Sequence, residues 1–351
     1  MDDATRGALG ELLGASVVEV HPIRESRVWR VRVAGRYEPV IVKSGASGNE
    51  VVALDVLGSY APGLAPRLIA TDAALGLLVQ EDVGGQASLA DLLLGDDAER
   101  AEAGMVAWAS ALGRLHAATA PHIDAIRAAR TASPLDVEDN GFLGDVAEHW
   151  RTVEAALRDL DVDVPAGCDD ELAAALVTLD DPAWQVLLHG DACPDNNVAE
   201  PSFVLFDWEG SSVGHAMLDG SYIRLPFPTC WCAGRIPEAV ATAMEDEYRR
   251  AAAPGLPAVD DAAAYDTGLA AVVAWWVQSS VWGLRRSVEG NPSWGTSTHR
   301  HRLVHKAGVV RECVADRYPA LAALAAEVGT WVGSRWPDAA DGLPLYPAFH
   351  A

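Results

Sequence analysis

Apolar residues recur along this chain with two different periods, and the change from one to the other divides it. Near the N-terminus, positions 8–13 have helical spacing, 17–20 read as a strand, and 28–33 alternate apolar and polar side chains as a half-buried strand does. Gly35 marks a turn into the run 39–43, which predicts a hairpin. Helical spacing returns over 48–57, Pro62 and Pro66 break it, and 67–70 with 75–80 read as a further strand pair. Val83-Gly84-Gly85 reads as a hinge, and beyond it the spacing is mostly helical: 89–94, 99–118, 146–160, 171–179, 215–224, 237–253, 262–286, 302–316 and 321–331. Two short strands, 185–188 and 203–206, interrupt the helices. Strands first and helices after predict an α+β chain of two lobes, a small antiparallel sheet over 1–82 and a larger helical part over 83–351.

Composition narrows the function. The chain has 351 residues, half of them apolar, enough for a large core. Its net charge of −24 argues against a nucleic-acid partner, which needs a basic surface. No apolar run approaches the roughly 18 residues of a membrane span, and Met1-Asp2-Asp3 lacks the basic and apolar regions of a signal peptide, so a cytoplasmic protein is expected. Five scattered cysteines read as reduced thiols, not a disulfide framework. Between Asp136 and Glu171, 12 acidic side chains face only Arg151 and Arg158, a pattern that is either solvated surface or an attraction for a cationic substrate. The opposite bias follows Arg285, where Arg286, Arg300, Arg302, Lys306, Arg311 and three histidines leave a phosphorylated or carboxylated substrate open.

Candidate chemistry begins with Lys43. The chain uses arginine 24 times and lysine twice, yet a lysine closes the apolar run Val40-Ile41-Val42, a placement that suits a compact point charge for a phosphate. Glu50, seven residues on, would pair with Lys43 or favour a helix N-terminus through the dipole. Downstream, Leu187-Leu188-His189-Gly190-Asp191 is followed by Asn196 and then by Phe206-Asp207-Trp208-Glu209. A lysine, an aspartate with asparagine at plus five, and a second aspartate form the ordered set of a kinase. Asp191 would handle the proton of an attacking hydroxyl. Asn196 and Asp207 supply the hard oxygens that Mg2+ prefers, with ATP or GTP as co-substrate. His189 is expected to orient the loop without reacting, and Glu209 either contacts the metal or caps a turn.

These segments resemble the aminoglycoside phosphotransferase and choline kinase group of the protein-kinase-like superfamily. Leu77-Leu78-Val79-Gln80-Glu81-Asp82, Leu112-Gly113-Arg114-Leu115-His116 and Leu218-Asp219-Gly220 extend the resemblance over roughly 13–225. It implies a bilobal kinase-like fold, adenine contacts from the backbone of Glu81 to Val83, and an Asp219 that anchors the catalytic loop. The chain departs from the family at Ile23-Arg24-Glu25-Ser26-Arg27, which has no glycine where a phosphate-covering turn is usual. Ser26, supplemented by Arg24 or Arg27, is left to reach a phosphate there. The 11 residues between Asp207 and Asp219 leave no platform for a peptide, so a small hydroxylated acceptor is expected, and the acidic stretch would suit an amine-bearing one such as an aminoglycoside or amino sugar. The competing reading is a catalytically weak, pseudokinase-like interaction module, motivated by the missing glycine. Cys230 and Cys232 with His299, His301 and His305 form a weaker zinc candidate, and the tryptophans of the helical part are expected in the core or against an acceptor.

Overall fold

The computed structural model describes residues 1–24, 27–85, 87–138 and 146–350. Helix α1 (Asp3–Leu13), whose N-terminus is capped by the Asp2 carboxylate, precedes a five-stranded antiparallel sheet. Its strands are β1 (Val17–Arg24), β2 (Val28–Val33), β3 (Val40–Ser44), β4 (Leu68–Asp72) and β5 (Leu77–Glu81), in the spatial order β1-β2-β3-β5-β4. Alternation along β2 buries Trp29, Val31 and Val33, which pack with Val42, Val79 and Leu9 of α1. Burying these side chains stabilises the sheet by about 1.5–3 kcal/mol each. The other face meets helix α2 (Gly48–Tyr60), which starts where the Ser47 hydroxyl accepts the Glu50 N–H.

The rest is mainly helical. Helices α3 (Leu89–Leu93), α4 (Ala98–Thr119), α5 (Ile123–Thr131), α6 (Val146–Asp159) and α7 (Cys168–Leu179) come first. Two small two-stranded sheets follow: β6 (Gln185–Leu188) pairs with β9 (Ser212–His215), and β7 (Asn197–Val198) with β8 (Val204–Leu205). Beyond α8 (Met217–Gly220) lie α9 (Glu238–Ala252), α10 (Ala262–Trp275) and α11 (Ser280–Glu289), a short hairpin β10 (Ser293–Trp294) and β11 (Ser297–Thr298), then α12 (His299–Val314) and α13 (Pro319–Arg335). One apolar core joins α2, α4 and the later helices through side chains such as Leu54, Met105, Trp108, Leu187 and Tyr248.

Three expectations change. The helix expected over 262–286 is broken by a 3₁₀ turn at Trp276–Ser279, where the Trp276 indole is drawn to the Ser221 hydroxyl. The helix expected over 215–224 gives up its start to β9, because pairing with β6 satisfies that backbone, and it shrinks to α8 and a 3₁₀ turn. Helix α5 was not expected; it begins after Pro121 at a 3₁₀ turn. No described helix is long and apolar enough to cross a membrane.

Candidate active site

Lys43 stands at the end of β3, opposite Val28 on β2 and Leu78 on β5. Three buried apolar residues precede it, so the strand is fixed by its core face and the ammonium is delivered to a set place. Its Nζ lies 2.6 Å from Glu50 Oε1 and 2.8 Å from Asp207 Oδ1. Burial alone would lower the Lys43 pKa, but the two carboxylates outweigh it and hold the pKa above the usual lysine value. Glu50, only 3% exposed, is raised by burial, and its one ammonium partner does not fully compensate. The pair is therefore unequal: Lys43 is served by two carboxylates, Glu50 by one cation that it shares. Asp207 has a left-handed backbone, φ 67°, a strained conformation for a non-glycine residue that turns the chain between β8 and the 3₁₀ turn Trp208–Gly210.

Helix α2 is stitched to that turn. The Asn49 side-chain amide donates to the Glu209 carbonyl at 3.1 Å, and the Ser211 hydroxyl donates to the Asn49 carbonyl at 3.0 Å. Arg130 of α5, 5% exposed, donates to the Ser211 carbonyl and to Asn49 Oδ1. Sequence reasoning missed Arg130 because it missed its helix. These bonds fix Glu50 and Asp207 relative to each other.

The loop after β6 carries the second group. The N–H groups of His189 and Gly190 donate to the two oxygens of fully buried Asp219, at 2.6 and 3.2 Å. The His189 ring accepts the Asp191 N–H at Nδ1 (3.3 Å) and donates from Nε2 to the Phe206 carbonyl (3.1 Å). Both ring nitrogens are thus engaged as in a neutral imidazole, and burial lowers the His189 pKa despite the nearby carboxylates. The Asp191 carboxylate is held on both oxygens. Oδ1 accepts from the Thr229 hydroxyl at 2.7 Å and the Cys193 thiol at 3.0 Å, while Oδ2 accepts from Asn196 Nδ2 at 3.1 Å. The Tyr222 hydroxyl lies 3.0 Å from that of Thr229. Thr229 and Tyr222 carried no signal in the sequence, since they sit in a segment with no motif.

Gly190 is required twice over. Its φ is 84°, and a Cβ built there would fall 1.9 Å from the Gly210 carbonyl oxygen. Gly190→Ala should therefore lower stability by about 2 kcal/mol or more through backbone strain and the displaced 210 peptide. Chemical denaturation of the two proteins checks this, and equal midpoints would show that the loop relaxes freely.

A cavity of about 340 Å³ opens beneath β2, β3 and β5. Val28, Ile41, Lys43, Glu81, Val83 and Phe206 line it, with Asp207 at one side. Its size falls in the range of small-ligand sites. The Glu81 N–H is taken by the Arg67 carbonyl, whereas among the described residues nothing takes the N–H of Val83. The segment after Glu81 is shaped by Asp82, which pairs with Arg30 and accepts the Gly84 N–H. It is also shaped by Gly85, where a Cβ would strike the Val198 side chain at 2.5 Å. Of the glycine-free turn, Ile23 lines the cavity, while Ser26 and the side chain of Arg24 lie outside the described residues.

Other sequence candidates separate. Cys230 and Cys232 do meet, with sulfurs 3.0 Å apart, but Cys230 joins Cys193 and Asp195 and not the histidines. Hydrogen bonds from the two neighbouring thiols pull the Cys230 thiol pKa down. His301 turns instead to Thr298 and the Asp338 carbonyl. Trp275 and Trp276 are core. Within the acidic segment, Glu171 caps α13 through the N–H groups of Ala320 and Leu321, and Glu154 pairs with Arg158. Among the described residues no acidic side chain of 136–171 lines the cavity.

The sequence profile of a phosphotransferase enzyme family matches residues 17–261. A protein from Ralstonia eutropha, named as a candidate aminoglycoside phosphotransferase, superposes with a TM-score of 0.54 at 14% identity, covering 95% of this chain and 98% of that one. The amicoumacin kinase hAmiN, solved with AMP-PNP, Ca2+ and Ami, gives 0.51 at 14%, covering 94% of each chain. APH(2")-IIa in a ternary complex with streptomycin and ATP gives 0.50 at 12%, covering 82% of this chain and 95% of that one. At these identities the superpositions speak for the bilobal, kinase-like fold. No curated protein matches the chain.

Proposed function

This chain belongs to the phosphotransferase enzyme family, whose members transfer phosphoryl groups to hydroxyls, and from that premise we propose that it moves the γ-phosphoryl of ATP onto a hydroxyl of a small molecule. The observation that carries the reading is the convergence of Lys43, Glu50 and Asp207 at one cavity. We take the hinge after Asp82 as the division between a nucleotide lobe, 1–82, and a helical lobe, 83–351.

Each residue has a task in this reading. The backbone from Glu81 to Val83 receives the adenine against Val28 and Ile41, and Lys43, held in direction by Glu50, meets the phosphates. Asn196 and Asp207 fit a magnesium ion. Asn196 spends its Nδ2 on the Asp191 carbonyl and carboxylate, which directs its Oδ1 elsewhere, and amide and carboxylate oxygens are the hard donors this cation takes. When bound, such an ion neutralises charge on the phosphates. Asp191, aimed by Thr229, Cys193 and Asn196, accepts the proton as the acceptor oxygen bonds to the γ-phosphorus and the bond to ADP breaks. His189 and Asp219 hold the loop that carries Asp191. Catalysis here is positioning and charge complementarity.

An amine-bearing acceptor such as an aminoglycoside or amino sugar rests on the acidic segment alone, and that segment lines no part of the described cavity. Thermal unfolding with magnesium and ATP or GTP tests the nucleotide half. A ligand at a hundred times its Kd adds about 2.7 kcal/mol to the folded state. A magnesium-dependent rise with ATP is expected, and a larger rise with GTP would reassign the nucleotide. No rise with either would favour the interaction-module reading.

A further inference from the structure

Three thiols gather beside the catalytic loop, and the reading above uses the hydrogen of only one, Cys193. Cys193 and Cys230 are each 2% exposed. Their sulfurs and a carboxylate oxygen of Asp195 all lie within 4.8 Å of one another. Among the described residues no other three histidine, cysteine or carboxylate side chains converge so closely. Sulfur and oxygen bound to one tetrahedral zinc, at about 2.3 and 2.1 Å, stand roughly 3.5–4 Å apart, a spacing inside these limits.

Each donor is held by its neighbours. Asp195 Oδ2 accepts the Trp231 indole N–H at 2.8 Å, and Oδ1 is the oxygen that faces the Cys230 sulfur, at 3.4 Å. The Asn197 side-chain amide fixes the turn that carries Cys193 and Asp195 by donating to the carbonyls of Cys193 at 3.2 Å and Pro194 at 3.0 Å. Cys230 is fixed from the other side by Arg302, which donates to its carbonyl at 2.7 Å and to that of Trp231 at 2.9 Å. Outer hydrogen bonds of this kind orient the ligands of a metal. Arg302 also balances charge: two thiolates and a carboxylate exceed a divalent ion by one negative charge, and the guanidinium acts on both Cys193 and Cys230.

The donor set selects the ion. Thiolates favour zinc or Cu(I), the carboxylate oxygen favours the harder zinc of the two, and magnesium takes oxygen. The sulfur-bearing group is therefore distinct from Asn196 and Asp207. Three protein ligands leave zinc a fourth position for water, and Asp195 lines the nucleotide cavity, which gives the ion a way in.

We propose that Cys193, Asp195 and Cys230 form a zinc site that competes with Asp191 for Cys193. Binding replaces two S–H bonds with two Zn–S bonds and releases both protons to solvent. Cys193 then has no hydrogen to give Asp191 Oδ1, which it now reaches at 3.0 Å. The site stands without the phosphotransferase reading; only its consequence for catalysis, the loss of one donor that aims Asp191, rests on it.

Zinc titrated into the reduced, metal-free full chain against a chromophoric chelator tests the site, with cadmium as a probe whose charge-transfer band counts thiolates. One equivalent bound at micromolar Kd or tighter, through two thiolates, is expected. Cys230→Ala should weaken zinc about a hundred-fold or more, since losing even an outer partner costs about 10–100-fold. Cooperative melting of this variant without metal shows that it folds, and Asp195→Asn gives a second, smaller loss from a less buried position. Asp191→Asn should instead tighten zinc about ten-fold or more, because the Cys193 thiolate then forms beside an amide and not beside a carboxylate. Adventitious thiol binding would not respond to that change. Three results overturn the proposal: no zinc bound at micromolar concentration, binding unchanged in either ligand variant, or binding no tighter in Asp191→Asn. None of them involves nucleotide or acceptor, so each leaves the kinase reading to its own test.

Discussion

Replacing Asp191 with Asn is expected to cut turnover about a hundred- to ten-thousand-fold, the span a positioned proton acceptor contributes. The folded state should survive. In the wild type every neighbour of the carboxylate is a donor: the Thr229 hydroxyl and Cys193 thiol on Oδ1, and Asn196 Nδ2 on Oδ2. An asparagine amide keeps the shape but turns one of those oxygens into an NH2 group facing a donor. That mismatch costs about 1–3 kcal/mol of local stability. The experiment therefore needs two readouts. ADP release with an acceptor should collapse, while the magnesium-dependent melting rise with ATP should remain, because Lys43 and Asp207 are untouched. An undiminished rate would remove Asp191 from the chemistry and leave its hydrogen bonds as loop architecture.

The same carboxylate shows where sequence reading succeeds and where it stops. Asn196 is legible because it shares one loop with Asp191, and a spacing of five carries the contact. Lys43 and Glu50 are legible for a similar reason: a short connection joins the end of β3 to the start of α2, and Ser47 caps the helix so that Glu50 faces back. Thr229 reaches Asp191, and Tyr222 reaches Thr229, from more than 30 residues downstream, and only packing brings them there. Arg130 depends on a helix whose short amphipathic run follows a proline, and its partners Asn49 and Ser211 are 81 residues away on either side. The four-residue strand β9 has no alternation to reveal it; it exists because β6 offers it a partner. The basic stretch after Arg285 was visible as composition, but that Arg302 and Lys306 line one recess in the helical part is a property of one face of α12.

Asp207→Asn is expected to abolish most of the magnesium-dependent melting rise with ATP. At the cavity Lys43 carries one positive charge against the carboxylates of Glu50 and Asp207, and their side chains are 14%, 3% and 20% exposed. The cluster without ligand thus has a surplus negative charge in a half-buried place, and the more exposed carboxylate is the one at the cavity. That surplus favours a divalent cation, and asparagine removes it, while Lys43 keeps Glu50 as a partner. Glu50 loses a like-charged neighbour, one of the causes that raise its pKa, so the unliganded variant should melt close to the wild type. The loss should appear only with nucleotide and metal together, as most of the roughly 2.7 kcal/mol that a hundred-fold excess over Kd supplies. Scans of both proteins with ATP alone, magnesium alone and the two combined separate these cases. An equal rise in the variant would place the metal on other groups, and an early-melting unliganded variant would make Asp207 a structural partner of Lys43 instead.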